Sequence, residues 1–248
     1  MELKQFFREN PRAALAFSGG VDSAYLLYAA VSAGADVTAY YVKTEFQPRF
    51  ELEDAQRLTK LLGARLRIVE ISVLEDTAIA ANPPDRCYHC KRRIFQTIQA
   101  AAHKDGYTLL LDGTNASDQD ADRPGIRALR ELAVRSPLRE AGLTKARIRE
   151  LSRQAGLFTW DKPAYACLAT RIPTGQVITS QALRRTERAE AALTALGLKD
   201  FRVRTRGDGA LLQVRQADLE QVLARREEIA RLLLQDYKTA AVDLEVRQ

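Results

Sequence analysis

Residues 13–27 read AALAFSGGVDSAYLL, and this segment determines the fold class of the chain. Five apolar residues come first, a short polar segment with two glycines follows, and an apolar helical pattern begins directly after Ser23. This order is typical of a buried strand, a tight turn and the start of a helix. Glycine tolerates positive φ and lets a ligand approach the backbone, while the first amides of a helix favour an anion. The stretch therefore predicts a phosphate-binding loop.

The first two thirds of the chain continue this alternation of strand and helix. Apolar runs at residues 37–42, 66–71 and 107–111 are separated by segments of helical period. Runs that are apolar throughout indicate strands buried on both faces, as in a doubly wound parallel sheet of the α/β class. Ligands bind beyond the carboxyl ends of such strands. We therefore expect the loop DGTN at residues 112–115 to face the same site as residues 18–23, which we call the glycine loop.

The pattern changes in residues 158–175, which are rich in proline, glycine and aromatic residues. Beyond them, the sequence predicts helices at 180–196 and 218–234 and strands at 201–206, 211–215 and 241–247. This mixture is typical of an α+β unit. We therefore predict two domains, an α/β domain at residues 1–165 and a smaller C-terminal α+β domain at residues 166–248.

The composition narrows the class of protein. The chain has 248 residues, of which 46% are hydrophobic and 28% charged, as in ordinary globular domains. Its net charge of +6 suits an anionic ligand, either a nucleotide or RNA. No apolar run is long enough to cross a bilayer and no apolar signal segment follows Met1, so we expect a cytoplasmic protein without membrane contact. Three cysteines, an odd number, argue against a disulfide framework.

The cysteines leave several interpretations open. Cys87 and Cys90, just before a helix expected to start near Lys91, have the spacing of a half-site for zinc or an iron–sulfur cluster. A redox dithiol or two bystander thiols are the alternatives. Cys167 is either a small buried hydrophobe or a nucleophile, and the positive charges of Lys162 and Arg171 favour a reactive thiolate.

Three arginines alternate along the predicted strand at residues 201–206. Arg202, Arg204 and Arg206 would all lie on one face of that strand, because successive side chains point to opposite faces. Guanidinium groups suit bidentate contact with phosphates and carboxylates. The face is either an anion site or a solvated surface.

Several segments, taken in order, resemble the ATP-dependent sulfur transferases of the LarE type. They are SGGVDS (18–23), NPPDRCYHCK (82–91), DGTNASD (112–118), WDKPAYACLATRI (160–172) and FRVR (201–204). The resemblance spans nearly the whole chain, and CYHCK and KPAYACLATR are its most specific parts. The first segment also resembles the loop of enzymes that split ATP between the α and β phosphates. The resemblance thus implies the PP-loop, adenine nucleotide α-hydrolase-like fold.

The resemblance implies a reaction and its partners. Enzymes of this family convert pyridinium-3,5-biscarboxylic acid mononucleotide to its thiocarboxylic form, on the way to the nickel-pincer cofactor of lactate racemase. ATP adenylates a substrate carboxylate with release of pyrophosphate, aided by Mg²⁺, and a sulfur nucleophile then displaces AMP. We accordingly expect this small molecule, ATP and Mg²⁺ as partners of a homo-oligomer that binds no nucleic acid.

The resemblance also implies roles for individual residues. Asp22 would hold Mg²⁺ and act in catalysis together with Cys167 and Glu190. Arg171, Arg202 and Arg204 match positions that contact the substrate's phosphate and carboxylates. The residues that would bind ATP are Ser18, Gly19, Gly20, Val21, Asp22, Ser23, Gly113 and Thr114.

The family has two sulfur sources. Members with a single cysteine at the position of Cys167 give up its sulfur and become dehydroalanine, whereas in members with three cysteines a [4Fe-4S] cluster carries an extra sulfide. Because this chain has Cys87, Cys90 and Cys167, we expect the cluster version with these three ligands, and self-donation by Cys167 as the other version. A tRNA-thiolating enzyme of the same loop superfamily is the alternative function.

Overall fold

The computed structural model describes residues 2–118 and 124–247. The chain divides into two compact units, one formed by Met1–Val73 and Asp85–Lys162 and the other by Leu74–Pro84 and Pro163–Gln248. The first unit contains a parallel sheet flanked by helices and the second a small mixed sheet, so the predicted fold class is confirmed. The domain division at residues 165 and 166 stays a prediction. No sequence pattern indicated that Leu74–Pro84 belongs with the second unit.

The sheet of the first unit has the strand order β3-β2-β1-β4. Its strands are β1 (Arg12–Ala16), β2 (Asp36–Lys43), β3 (Arg65–Glu70) and β4 (Leu110–Leu111), and all neighbours pair in parallel. The expectation of burial on both faces is wrong for β3, because this strand lies at the sheet edge and every residue in it is partly or fully exposed.

Helices cover both faces of this sheet, as a doubly wound fold requires. In chain order the α-helices are α1 (Leu3–Glu9), α2 (Val21–Ser32), α3 (Arg49–Leu62), α4 (Thr77–Ala80), α5 (Arg86–Lys104), α6 (Pro124–Glu131), α7 (Pro137–Glu140), α8 (Lys145–Gln154), α9 (Ser180–Ala195), α10 (Leu219–Ala224) and α11 (Arg226–Leu233). Successive residues of β1 pack into the hydrophobic cores on opposite faces of the sheet. Leu15 packs with α1, α2 and α3, whereas Ala14 packs with α5 and α6.

The second unit has its own sheet and core. Strands β5 (Arg202–Arg206) and β6 (Gly209–Gln213) pair antiparallel, and β7 (Thr239–Val242) pairs parallel to β6. Leu193, Val203 and Leu212 are fully buried in its core. The helix predicted at 218–234 is instead two helices, α10 and α11, which meet at Arg225.

The segment Leu74–Pro84 joins the second unit through backbone hydrogen bonds. Gly175 N donates to Asn82 O and Ile178 N to Ala80 O, each at 2.8 Å. Asn82 is buried with φ +55°, a conformation that asparagine tolerates better than most residues, and its Nδ2 donates to Pro173 O at 2.9 Å. Two separate stretches of chain therefore build this unit. Among the described helices, none is both long and apolar enough to cross a membrane.

Candidate functional site

The glycine loop connects β1 to α2 at the carboxyl end of the sheet. Gly19 has φ +71°, and a Cβ there would lie 3.2 Å from the Glu51 carbonyl oxygen. Gly20 has φ −79° and is the N-cap of α2, so of the two glycines only Gly19 uses the positive φ that glycine allows. The first α2 amides consequently open toward this loop, as expected for an anion site.

The two serines of the loop bond to each other, although Ser18 itself is exposed. Ser23 Oγ lies 3.1 Å from Ser18 Oγ, accepts from Ser18 N at 3.3 Å and donates to Gly20 O at 3.2 Å. Ser23 is buried, and Val21 packs into the core beneath it. These contacts fix the loop in shape before any ligand arrives; the binding roles of the loop residues stay predictions.

The loop after β4 packs directly on the start of α2. A Cβ at Gly113 would lie 2.9 Å from Ser23 N, so glycine is needed for this close approach. Asp112, which is buried, accepts hydrogen bonds from the hydroxyls of Thr114 and, at 2.6 Å, Ser136. The structure thus brings together the two loops that the sequence places at one sheet edge.

Asp22, in the first turn of α2, has one paired and one unpaired carboxylate oxygen. Oδ2 lies 2.5 Å from Lys145 Nζ, whereas Oδ1 is buried without a hydrogen-bond partner among the described residues. Burial raises the pKa of Asp22, and Lys145 offsets this only in part. A buried carboxylate oxygen without a partner suits a hard divalent cation such as Mg²⁺, which binds through one or two carboxylates together with phosphates.

Two lysines lie at this edge, of which the sequence did not indicate Lys145 and gave Lys162 a different role. Lys145 starts α8 and pairs with Asp22, and Lys162 lies 2.7 Å from Asp54 Oδ2 and 3.5 Å from Gly19 O. The sequence assigned Lys162 to the thiol of Cys167, whereas these contacts are with the glycine loop region. Both ammonium groups lie where they could meet the negative charge of a nucleotide.

The CxxC pair begins helix α5 rather than preceding it. The helix starts at Arg86, five residues before the expected start near Lys91, so Cys87 and Cys90 both lie in its first turns. Cys87 is exposed, Cys90 is half-buried, and the cysteines form no disulfide. In the described ranges, no three His, Cys, Asp or Glu residues gather into a group that could hold a metal ion.

Cys167 lies directly before a short 3-10 helix, Leu168–Arg171, whose last residue holds the preceding backbone. Arg171 Nη1 donates to Ala166 O at 2.7 Å and to Thr170 Oγ1 at 2.9 Å. Thr170 N and Oγ1 also donate to Cys167 O, at 3.0 and 2.9 Å. The buried guanidinium of Arg171 thereby fixes the backbone on both sides of Cys167.

Arg171 and Glu190 form a buried bidentate ion pair. Nε and Nη2 of Arg171 lie 2.8 and 3.1 Å from the two Glu190 oxygens, which also accept from Tyr165 Oη at 2.6 Å and from Val203 N at 2.9 Å. Burial lowers the pKa of Arg171, but Glu190, together with the nearby Tyr165 and Cys167, raises this pKa overall. Because these groups are engaged with each other, the geometry favours a positioning role; substrate contact by Arg171 and catalysis by Glu190 stay predictions.

The arginines of β5 share one face, as the alternation predicts. Arg204 bonds to Gln213 and, at 2.9 Å, to Thr170 O. The Arg202 side chain has no hydrogen bond or ion pair with any residue that the structure describes. Burial and the neighbouring positive charges, Arg247 foremost, lower the pKa of Arg202 to about 10. A half-buried guanidinium in such surroundings favours an anionic ligand.

Known proteins resemble both this loop region and the whole chain. The family described as queuosine biosynthesis protein QueC matches residues 12–83. An uncharacterized protein of Synechocystis sp. is 38% identical over 220 residues, which are 88% of this chain and 82% of the relative. An uncharacterized protein of Methanocaldococcus jannaschii is 29% identical over 246 residues, 98% of this chain and 93% of the relative.

A further relative carries a functional name. The pyridinium-3,5-bisthiocarboxylic acid mononucleotide synthase of Lactiplantibacillus plantarum is 32% identical over 224 residues, which are 90% of this chain and 81% of the relative. Identity at this level over nearly the full length extends far beyond the glycine loop. It agrees with a parallel sheet whose first strand leads through the glycine loop into a helix, and the chain belongs to the LarE-type family of PP-loop enzymes, as an ATP-dependent sulfurtransferase.

Proposed function

We propose that this protein uses ATP to convert a carboxylate of pyridinium-3,5-biscarboxylic acid mononucleotide to a thiocarboxylate. The relative of Lactiplantibacillus plantarum, which is named as the synthase of the bisthiocarboxylic product, supports the substrate. The observation that carries the ATP-dependent step is the carboxylate of Asp22 beside the glycine loop, whose buried Oδ1 has no hydrogen-bond partner in the described part of the chain. The product would then serve a nickel-pincer cofactor such as that of lactate racemase.

The first step activates the substrate. A substrate carboxylate oxygen attacks the α-phosphate of ATP, the bond between the α and β phosphates breaks, and pyrophosphate leaves. Asp22 would hold Mg²⁺, which would supply charge neutralisation at the phosphates. The first amides of α2 and the ammonium groups of Lys145 and Lys162 would stabilise the leaving pyrophosphate.

The second step delivers sulfur from Cys167. Its Sγ attacks the carbonyl carbon of the acyl adenylate and AMP leaves, which forms a thioester. Cleavage of the Cβ–Sγ bond with loss of the Cα proton then leaves the thiocarboxylate on the product and dehydroalanine at position 167. Arg171 supports this step by holding the backbone carbonyl of Ala166, next to the nucleophile.

The other sulfur source is a [4Fe-4S] cluster bound by Cys87, Cys90 and Cys167. Cys87 and Cys90 lie one helical turn apart on α5, and this spacing suits two ligands of one cluster. Since the described residues contain no gathered group of three such ligands, we derive no step through the cluster. It remains the alternative to self-donation.

We also propose that the protein acts in the cytoplasm as a homo-oligomer. Leu223 of α10 and Leu234, directly after α11, are large exposed hydrophobic residues of the second unit. Multi-angle light scattering should give a mass that is at least twice the 27.7 kDa of one chain. A monomer over the full range of protein concentrations would contradict the oligomer.

The reaction is tested on anaerobically purified protein with ATP, Mg²⁺ and the mononucleotide. We expect pyrophosphate release that depends on the mononucleotide; release that depends on bulk tRNA instead would contradict the proposed substrate. Intact mass, iron and sulfide are measured before and after the reaction. Loss of the mass of one H₂S at Cys167 without iron supports self-donation. About four iron and four sulfide per chain with an unchanged polypeptide mass would support the cluster.

A further inference from the structure

Arg86 carries a buried positive charge that has no counterion among the described residues. The residue is only 7% exposed, and its Nη1 is buried without a hydrogen-bond partner among the described residues. Its one polar side-chain contact in that part of the chain runs from Nη2 to Cys87 Sγ at 3.4 Å. Burying an unpaired guanidinium is costly, so such a group needs a ligand to account for it.

The acidic residue next to Arg86 does not supply the counterion. Asp85 is half-exposed and its Oδ2 lies 3.2 Å from His89 Nε2. No carboxylate among the described residues lies within ion-pair distance of the Arg86 guanidinium. Within the described residues, the positive charge of Arg86 therefore has no carboxylate partner, and a bound anion would supply one.

The position of Arg86 adds a second attraction for an anion. Arg86 is the first residue of α5, a helix of 19 residues, whose unpaired first amides and dipole favour negative charge. The guanidinium also lies 5.7 Å from the ring centroid of Phe46, in the loop that follows β2. Glu45 in that loop accepts from Val73 N at 3.1 Å, which ties it to the end of β3. The Arg86 guanidinium thus lies at the carboxyl edge of the sheet, the edge at which the glycine loop also lies.

We propose that Arg86 and the first turn of α5 form a binding site for the second carboxylate of the pyridinium mononucleotide, the one that is not being activated; this rests on the proposed function. A planar carboxylate offers two oxygens, one for the unpaired Nη1 and one for a helix amide. The phosphates of ATP have candidate partners elsewhere, in the glycine loop. The site would select a substrate with carboxylates at both ring positions.

The test compares Arg86→Met and Arg86→Lys with Arg93→Met, an exposed arginine of the same helix, as the control. Calorimetric titration measures the affinity for the bis-carboxylate mononucleotide, for nicotinamide mononucleotide, which has the ribose phosphate but no carboxylate, and for ATP. We expect Arg86→Met to lose at least about 10-fold in affinity for the bis-carboxylate only, with a smaller loss in Arg86→Lys. Arg93→Met should bind all three ligands like wild type.

Two results would contradict the proposed carboxylate site at Arg86. One is unchanged affinity of Arg86→Met for the bis-carboxylate, and the other is an equal loss for all three ligands, which would make Arg86 structural. Thermal unfolding without ligand is the second measurement: because Arg86→Met removes an unpaired buried charge, its Tm should equal or exceed that of wild type, and a lower Tm would also count against the site. If wild type neither binds the bis-carboxylate nor releases pyrophosphate with it, the proposed function itself fails. If wild type turns over and Arg86→Met binds normally, only this inference fails.

Discussion

The carboxylate of Asp22 is held in surroundings that oppose its charge. Burial raises its pKa, Lys145 lowers it in part, and the nearby charge of Asp118 raises it again. One oxygen has no partner in the described chain. A buried carboxylate with an unpaired oxygen lowers the stability of the fold. Such residues are common at functional sites, where a bound ligand offsets this cost.

The first prediction concerns the substitution Asp22→Asn and its dependence on pH. Because the pKa of Asp22 is raised on folding, the native state binds its proton more tightly than the unfolded state does. Binding of this proton stabilises the folded state fully below pH 3.8, the ordinary pKa of an aspartate. The stabilisation is lost as the pH rises through the raised pKa of Asp22. Asparagine stays uncharged at every pH, so Asp22→Asn should not lose stability as the pH rises. At pH 7 the free energy of unfolding of this variant should therefore be no lower than that of wild type. Pyrophosphate release should fall at least about 100-fold.

Urea unfolding between pH 4 and 7, together with a pyrophosphate assay, checks both parts of the Asp22 prediction. Wild-type release rates in Asp22→Asn would rule out the metal-binding role. A variant that is clearly less stable at pH 7 would rule out the electrostatic argument.

A second prediction at this scale concerns Glu190→Gln. Removing this carboxylate leaves the guanidinium of Arg171 buried without its ionic partner, which should cost about 3–5 kcal/mol of the free energy of unfolding. The control is Arg188→Gln on the same helix, because Arg188 is 61% exposed and its ion pair with Asp236 should be worth less than about 1 kcal/mol. Urea unfolding measures both variants, and equal losses would contradict the structural role of the buried pair.

At the scale of elements, the contact between the loop after β4 and the start of α2 depends on Gly113. In Gly113→Ala the new Cβ would lie 2.9 Å from the backbone nitrogen of Ser23, so the loop must move away. We expect a loss of about 1–3 kcal/mol in the free energy of unfolding and weaker ATP binding. The control for stability is Gly20→Ala, where the Cβ would meet only Ser18 Oγ at 3.4 Å and φ is already negative. Similar stabilities of the two variants would show that the close approach is not needed.

The sequence predicted some helix and strand boundaries better than others. Helix α9 was expected at residues 180–196 and ends one residue earlier, because its apolar period is regular and Thr179 caps its start. The last strand was expected at 241–247 and is Thr239–Val242, since pairing with β6 and not local pattern sets its ends.

The sequence also predicted only part of the candidate site. The glycine loop has a local signature, so the sequence located it. Lys145 looks like an ordinary charge at the start of a charged helix, and only the fold shows its contact with Asp22. The pairing of Arg171 with Glu190 joins a loop to a helix 19 residues away, and no periodicity links the two positions.

At the scale of the whole molecule, the chain has two units with separate hydrophobic cores, and the residues predicted to bind ATP all belong to the first. The only tryptophan, Trp160, lies in that unit as well, so its fluorescence reports on the unfolding of that unit. A ligand that binds only the folded first unit must stabilise it by mass action.

The last prediction follows from this division. A non-hydrolysable ATP analogue with Mg²⁺ at about 100 times its Kd should raise the free energy of unfolding reported by Trp160 by about 2.7 kcal/mol. Hydrogen exchange in β5 and β6 of the second unit should slow much less, because those strands have their own core. In Asp22→Asn the shift should nearly vanish. Equal protection of both units by the analogue would contradict a nucleotide site confined to the first unit, and an undiminished shift in Asp22→Asn would contradict the assignment of Asp22 to it.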